Sequence, residues 1–321
     1  MSWRAQIWLM TSKKILMVAA NRSVSQTTGW PIGFWWAELT HPFWCFSEAG
    51  YQIEIRSPDG GRLEGDGYSD PEHESGYSGH DILSLGFKKS PKHAALLEAT
   101  KSIDGVRPAD FDAIVAGASA LYNVRLHAAR VAINQYSNRT ASSAIPADKF
   151  QAFHNAVLNA CDATDGVKDG VIENPEKCKF DPKVLECKGA DGPSCLTAEQ
   201  VDTVRALYAP VKSPKSGSVI LHPLLQPGSE LGWSTLAGAE PLGNAQEPFK
   251  YIVFNDPNWD YSTYDLSRWT QDSALAATYL NATSPDLDAF KQRGGKLILW
   301  HGWADPALTP LESLKYHGQV Y

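Results

Sequence analysis

Apolar positions in the first third of the chain follow two different periods. Lys14–Ala20 is a short apolar run between polar flanks, the pattern of a buried parallel strand. Over 35–49 the period becomes helical, with Trp36, Leu39, Phe43 and Phe46 in step and Gly50 as a stop signal. Tyr51–Arg56 then alternates as a second strand, and the turn residues Ser57–Gly61 close it. The order is that of a βαβ unit. Residues 61–90 are polar and irregular, 91–104 read as a helix, and Phe111–Gly117 reads as a third buried strand, so the pattern predicts a doubly wound α/β sheet.

From Ala118 the texture changes. Residues 125–135 and 148–159 are helical, 161–195 is a loop rich in Cys, Asp, Gly and Pro, and 197–208 is a helix after the N-cap candidate Thr197, with Glu199 and Gln200 in its first turn. The stretch 209–245 has little regular pattern. Lys296–His301 is a buried strand that leads into Gly302, Trp303, Ala304 and Asp305. No internal repeat or low-complexity tract interrupts the chain.

Composition narrows the partners. With 321 residues, 43% of them hydrophobic and 11% aromatic, the chain can bury one large core or two moderate ones. A net charge of -7 and a pI near 5.7 argue against nucleic acid and favour a small-molecule partner; no run approaches the roughly 18–20 apolar residues of a membrane span. The opening fourteen residues are too short and polar for a secretory signal, so no export signal is expected. Four of the five cysteines, Cys161, Cys178, Cys187 and Cys195, share one stretch and read as two local disulfides, which belong to an oxidising compartment; a zinc site is the rival, weakened by long, irregular spacings. Within that stretch Asp162, Asp165 and Asp169, with Gly166 and Gly170 between them, suit either a calcium loop or an ordinary Asp/Gly turn.

Nucleophilic acyl chemistry needs a serine on a strained elbow, a histidine and a carboxylate. Gly117-Ala118-Ser119-Ala120 is not such an elbow, because Leu121 stands where the second glycine belongs, and Ser119 reads as a strand-end residue. Asp305, after its apolar strand, is the one carboxylate in a suggestive place, and alone it also suits a turn cap.

From about Ala109 to Tyr321 the chain resembles the tannase and feruloyl esterase family. The stretches that carry this are DFDAIVAGASALYNVRLHAARVAINQ, CDATDGVKDGVIENPEKCKFDP, CKGADGPSCLTAEQVDTV, FNDPNWDYSTYD and GGKLILWHGWADPALTP, in the family's order. The resemblance implies an α/β-hydrolase with an inserted lid, about 145–285, that hydrolyses esters of aromatic acids such as gallate and ferulate. It makes Asp305 the triad acid. It places calcium in the lid on the side chains of Asp162, Asp165 and Asp169 and the carbonyls of Val167 and Val171, pairs Cys161 with Cys178 and Cys187 with Cys195, and makes the lid a pocket wall to which Trp233, Phe254 and Trp259 could contribute, with core packing the better reading of each. The family's Cys-Ser and His-Cys dipeptides do not occur in this sequence, while His301 and His317 read as structural, so the expected enzyme is catalytically incomplete.

Residues 13–116 resemble instead the PfpI-type branch of the class-I-glutamine-amidotransferase-like superfamily, on KKILMVAANRS, GFWWAELTHPFWCFSEAGYQIEIRSPDG, DPEHESGYSGHDI and DFDAIVAG. That resemblance makes Glu38 the glutamate beside a nucleophilic cysteine, a residue this chain lacks at the matching place. Cys45, on an aromatic helix face, reads as a buried apolar residue and cannot replace it. The expectation is therefore an amidotransferase-like segment 1–117 and an esterase-like segment 118–321, joined near 109–118 as in a recombinant gene, in a three-layer doubly wound sheet. Its rivals are a chaperone or glyoxalase-like protein and a non-catalytic, calcium-stabilised module.

Overall fold

A computed structural model describes residues 14–24, 31–106, 112–237 and 246–320. Residues 1–13 of the opening stretch judged for an export signal, and 109–111 of the expected junction, lie outside the described residues. The chain divides into two compact units, Met1–Asp110 and Phe111–Tyr321.

In the first unit the βαβ order folds as predicted, but Lys14–Val18 is not the buried strand expected: its residues are half-buried or exposed, Val18 among the exposed. Strand β1 (Lys14–Val18) and β4 (Gln52–Ser57) pair in parallel with Ile15 opposite Ile53, and α1 (Trp36–Glu48) connects them after the short antiparallel pair β2 (Ser23–Val24) and β3 (Pro31–Ile32). The helical stripe buries Trp36, Leu39 and Phe43 against Phe34, Ile55, Leu63, Phe87 and Leu97. Phe43 meets Phe87 edge-on at 5.0 Å, a geometry that adds to the area the rings bury. Cys45 is exposed, which corrects the sequence expectation: Phe43 takes the core-facing arc and turns Cys45 outward.

Two boundaries also differ. A helix the pattern missed, α2 (Ile82–Lys89), starts where the Asp81 carboxylate accepts the Ser84 amide, and α3 (Pro91–Glu98) stops well short of 104. The backbones of Thr100 and Gly61 exchange two hydrogen bonds of 2.8 Å, and β5 (Lys101–Ser102) joins the edge of β4. Sheet pairing thus outcompetes helix continuation, a choice local propensity does not encode.

In the second unit β6 (Ala113–Gly117) and β9 (Lys296–Trp300) form a parallel sheet of their own, from Ala113 opposite Lys296 to Gly117 opposite Trp300. The expected continuous doubly wound sheet is replaced, among the described residues, by these small sheets. Burial on both faces is corrected too: Val115, Ile298 and Trp300 lie on one exposed face. At Gly117 the Trp300 ring lies over the backbone, and a Cβ would come within 2.2 Å of it and displace the ring.

Helix α4 (Asn123–Ser137) is buried on nearly every side, with Ala129 and Ile133 in one core cluster and Ala128 and Val131 in another. The first cluster gathers α5 (Phe150–Cys161), α6 (Ala198–Leu207) and the fully buried Trp233. Thr197 and Gln200 form a reciprocal capping box at the start of α6, satisfying two helix-end donors. Between 209 and 245 a short antiparallel pair appears, β7 (Val211–Lys212) with β8 (Val219–Leu221). It is too short for periodicity to reveal.

Candidate active site

Asp305 follows β9, where the chain turns before the helix Pro310–Val320. Its Oδ1 accepts the backbone amides of Ala307 at 2.8 Å and Leu308 at 2.9 Å, which fixes the turn and leaves Oδ2 facing His301 Nε2 at 3.4 Å. Burial works to raise the pKa of this carboxyl, yet the His301 contact and the two amides outweigh it and hold the group below the usual range. It is an ionised acid at neutral pH.

His301 is clamped on both ring nitrogens. Nε2 lies 3.1 Å from the Leu308 carbonyl, which can only accept, so Nε2 carries the proton; Nδ1 lies 2.8 Å from Ser313 Oγ and, in the neutral ring, accepts from it. Sequence reading set His301 aside as a strand-end residue. The fold makes it the neighbour of Asp305, while His317 lies exposed on the helix Pro310–Val320.

Several long-range contacts hold the turn. Arg130 on α4, itself buried, donates from Nη2 to the Ala307 carbonyl at 2.8 Å, and the charge of Asp305 offsets the burial that pushes its guanidinium pKa down. Thr309 Oγ1 donates to the Pro223 carbonyl at 2.7 Å. Gly232 admits Pro306, for a Cβ there would stand 2.6 Å from its ring. Arg130 was invisible to sequence reading because its partner lies 177 positions away.

Beside the turn lies a cavity of about 530 Å³, walled by Gly170–Glu173, by Pro227 and Gly228, and by Gly302, Trp303 and Ala304. Trp303 therefore supplies the aromatic wall. Trp233, Phe254 and Trp259 do not line it: Trp233 packs on Phe153 and Tyr208, and Trp259 stacks on both Phe249 and Phe254. Behind the Gly228 wall the fully buried Glu230 carboxylate accepts the Gly228 amide at 2.7 Å and the Tyr208 hydroxyl at 2.6 Å, and meets His154 Nδ1 at 2.6 Å. Burial, reinforced by the Glu230 charge, pushes the Tyr208 phenol far up.

The loop that forms the opposite wall is tightly self-bonded. The disulfide Cys161–Cys178 closes it, and Gly166 and Gly170 adopt positive φ of 101° and 84°. Buried Asp162 accepts the Asp169 and Gly170 amides, Asp165 those of Val167 and Glu173, and Asp169 that of Val171. The backbone bonds from Val167 and Glu173 lower the Asp165 pKa. These are the hard oxygen donors calcium takes, but the three carboxylates do not bring one oxygen each within 4.8 Å of one another. Among the described residues the group that does converge is Cys187, Asp191 and Cys195, and its two sulfurs are already joined as a disulfide.

Ala118, rather than Ser119, carries strained backbone at the end of β6, with φ of 44°. In the first unit Glu38 sits in the first turn of α1; the residue is exposed, yet its carboxyl is crowded enough for desolvation to raise its pKa. Among the described residues its carboxylate has no hydrogen-bond or ion-pair partner.

Comparison with known proteins finds that residues 106–321 match the family model described as tannase and feruloyl esterase. A probable feruloyl esterase B-1 of Aspergillus oryzae is 34% identical over 227 residues, which cover 66% of this chain and 40% of that protein. An uncharacterized esterase of Xanthomonas campestris is 34% identical over 197 residues, 56% of this chain and 34% of its own. The crystal structure of feruloyl esterase B from Aspergillus oryzae superposes with a TM-score of 0.62 at 27% identity, covering 88% of this chain and 50% of that one. The chain thus spans half the length of these relatives or less.

Proposed function

This chain belongs to the tannase and feruloyl esterase family, and from that premise we propose that its second unit contributes the lid and the triad acid of a hydrolase for carboxylic esters of aromatic acids. Asp305 is the acid: kept ionised, its role is to orient a histidine and stabilise the imidazolium formed as that base takes the nucleophile's proton. The observation that carries the reading is the position of this carboxylate immediately after the Gly302–Ala304 wall of the 530 Å³ cavity, a space suited to an aromatic acyl group. Trp303 gives that group a flat apolar face.

The family's nucleophile and base dipeptides are missing from the 321 residues, so the chain by itself is proposed to bind such esters without appreciable turnover. Calcium belongs to the same reading as a structural ion of the lid, held by the carboxylates of Asp162, Asp165 and Asp169 and the backbone carbonyls of Val167 and Val171. The amidotransferase-like reading of residues 13–116 rests on its sequence stretches alone, and with Glu38 unpartnered among the described residues no activity is assigned to it.

The deciding experiment is hydrolysis of methyl gallate and methyl ferulate by the purified chain with calcium, in parallel with Asp305→Ala. Binding without turnover in either protein is the expected result. Turnover abolished by Asp305→Ala would overturn the incompleteness, and no binding of either ester would overturn the substrate class.

A further inference from the structure

Glu173 is the one ionisable side chain on the cavity wall; its other lining residues are Gly170, Val171, Ile172, Pro227, Gly228, Gly302, Trp303 and Ala304. The Glu173 backbone is fixed, since its amide donates to Asp165 Oδ2 at 3.2 Å and the buried Ile172 beside it packs near Gly228. Its carboxylate makes no hydrogen bond or ion pair among the described residues. Glu173 is exposed, so water covers its carboxylate until a ligand enters, and a ligand that displaces this water is discriminated by whether it brings a donor.

We propose that Glu173 is a specificity residue of this cavity and selects aromatic esters whose ring carries a free hydroxyl. The inference rests on reading the cavity as the acyl pocket. With the ring against Trp303, a phenolic O–H that reaches the carboxylate forms a charge-assisted hydrogen bond, stronger than a neutral one. An O-methylated ring has no proton to give and leaves the carboxylate to lose water uncompensated. Discrimination of this kind comes from the unsatisfied acceptor as much as from the bond gained.

The test is titration calorimetry of the full chain with methyl ferulate and methyl 3,4-dimethoxycinnamate, which differ in one O-methyl group, repeated with Glu173→Leu and Trp303→Phe. The expected preference for ferulate is about tenfold, the value of one hydrogen bond to a charged group. Glu173→Leu should erase that ratio while leaving dimethoxycinnamate binding as tight or tighter. Trp303→Phe should weaken both esters and keep the ratio. Equal binding of the two esters by the wild-type chain, or a preference that survives Glu173→Leu, overturns the role of Glu173 while the pocket reading stands. Failure of both esters to bind overturns the pocket reading itself. Tighter binding of a cationic aryl amine than of either ester overturns the proposed class and assigns the carboxylate to cations. Melting curves of the variants separate a lost contact from a lost fold.

Discussion

His301 Nε2 lies 3.4 Å from Asp305 Oδ2, on the side of the carboxylate that the Ala307 and Leu308 amides leave open. One side chain thus holds the turn with Oδ1 and meets an imidazole with Oδ2, so its structural and chemical roles separate by atom.

Asp305→Ala is expected to cost about 1–3 kcal/mol, because two backbone amides lose their acceptor. The folded pKa of Asp305 is depressed, so its contribution is present above the unfolded carboxylate value of about 4 and is lost as pH falls through the folded value. Urea unfolding of both proteins should show the gap at pH 7 and its closure in the acid limb. A gap that stays constant with pH would contradict the depressed pKa.

His127 on α4 has its pKa pushed down to about 3 by burial, with the Arg130 charge adding to the effect. It is neutral in the folded chain and protonates near pH 6.5 when unfolded. Its contribution is therefore present above about pH 6.5 and declines as pH falls from there toward 3. His127→Gln should flatten the loss of stability between about pH 6.5 and 4, and the His127 ring should show no NMR titration in that range.

Removing the Cys161–Cys178 disulfide, with a sequence separation of 17, is expected to cost about 3 kcal/mol by loop-closure entropy, and Cys187–Cys195, with a separation of 8, about 2.5 kcal/mol. Paired Cys→Ser variants in denaturant test this ordering. A larger loss from the second pair would mean that its loop is anchored by more than the bond, as the ion pair of buried Lys149 with Asp191 suggests.

Glu230→Leu leaves His154, Tyr208 and the Gly228 amide without their common acceptor and is expected to destabilise by about 3–5 kcal/mol. The same change at exposed Glu199 should cost about 1 kcal/mol or less. Similar losses at the two positions, measured by chemical denaturation, would show that the Glu230 network carries no special weight.

Calcium at millimolar concentration should raise the melting temperature, since an ion that binds only the folded state stabilises it by about 2.7 kcal/mol at a hundred times its dissociation constant. Asp165→Asn can keep the turn bonded to Val167 but removes a charge and should blunt the shift. Identical melting with calcium and with chelator would show that the amide-held loop is the working state.

Some of this was written in short stretches of chain. The period of Trp36, Leu39 and Phe43 determined α1, the Thr197–Gln200 spacing its capping box, and the apolar runs β1 and β9, because each depends on neighbours within a few residues. Family-level likeness gave both disulfide pairings before any coordinates. The tertiary structure alone decided which edges paired: β6 joined β9, and Thr100 met Gly61 where a helix was expected to continue. It also decided which polar groups face one another. Arg130 reaches Ala307 and Glu230 gathers His154 and Tyr208 across distances in sequence that no local pattern spans, and Glu173 and Trp303 share a cavity only because two distant loops fold together. Periodicity reports which face of an element is apolar; it carries no information about what that face will meet.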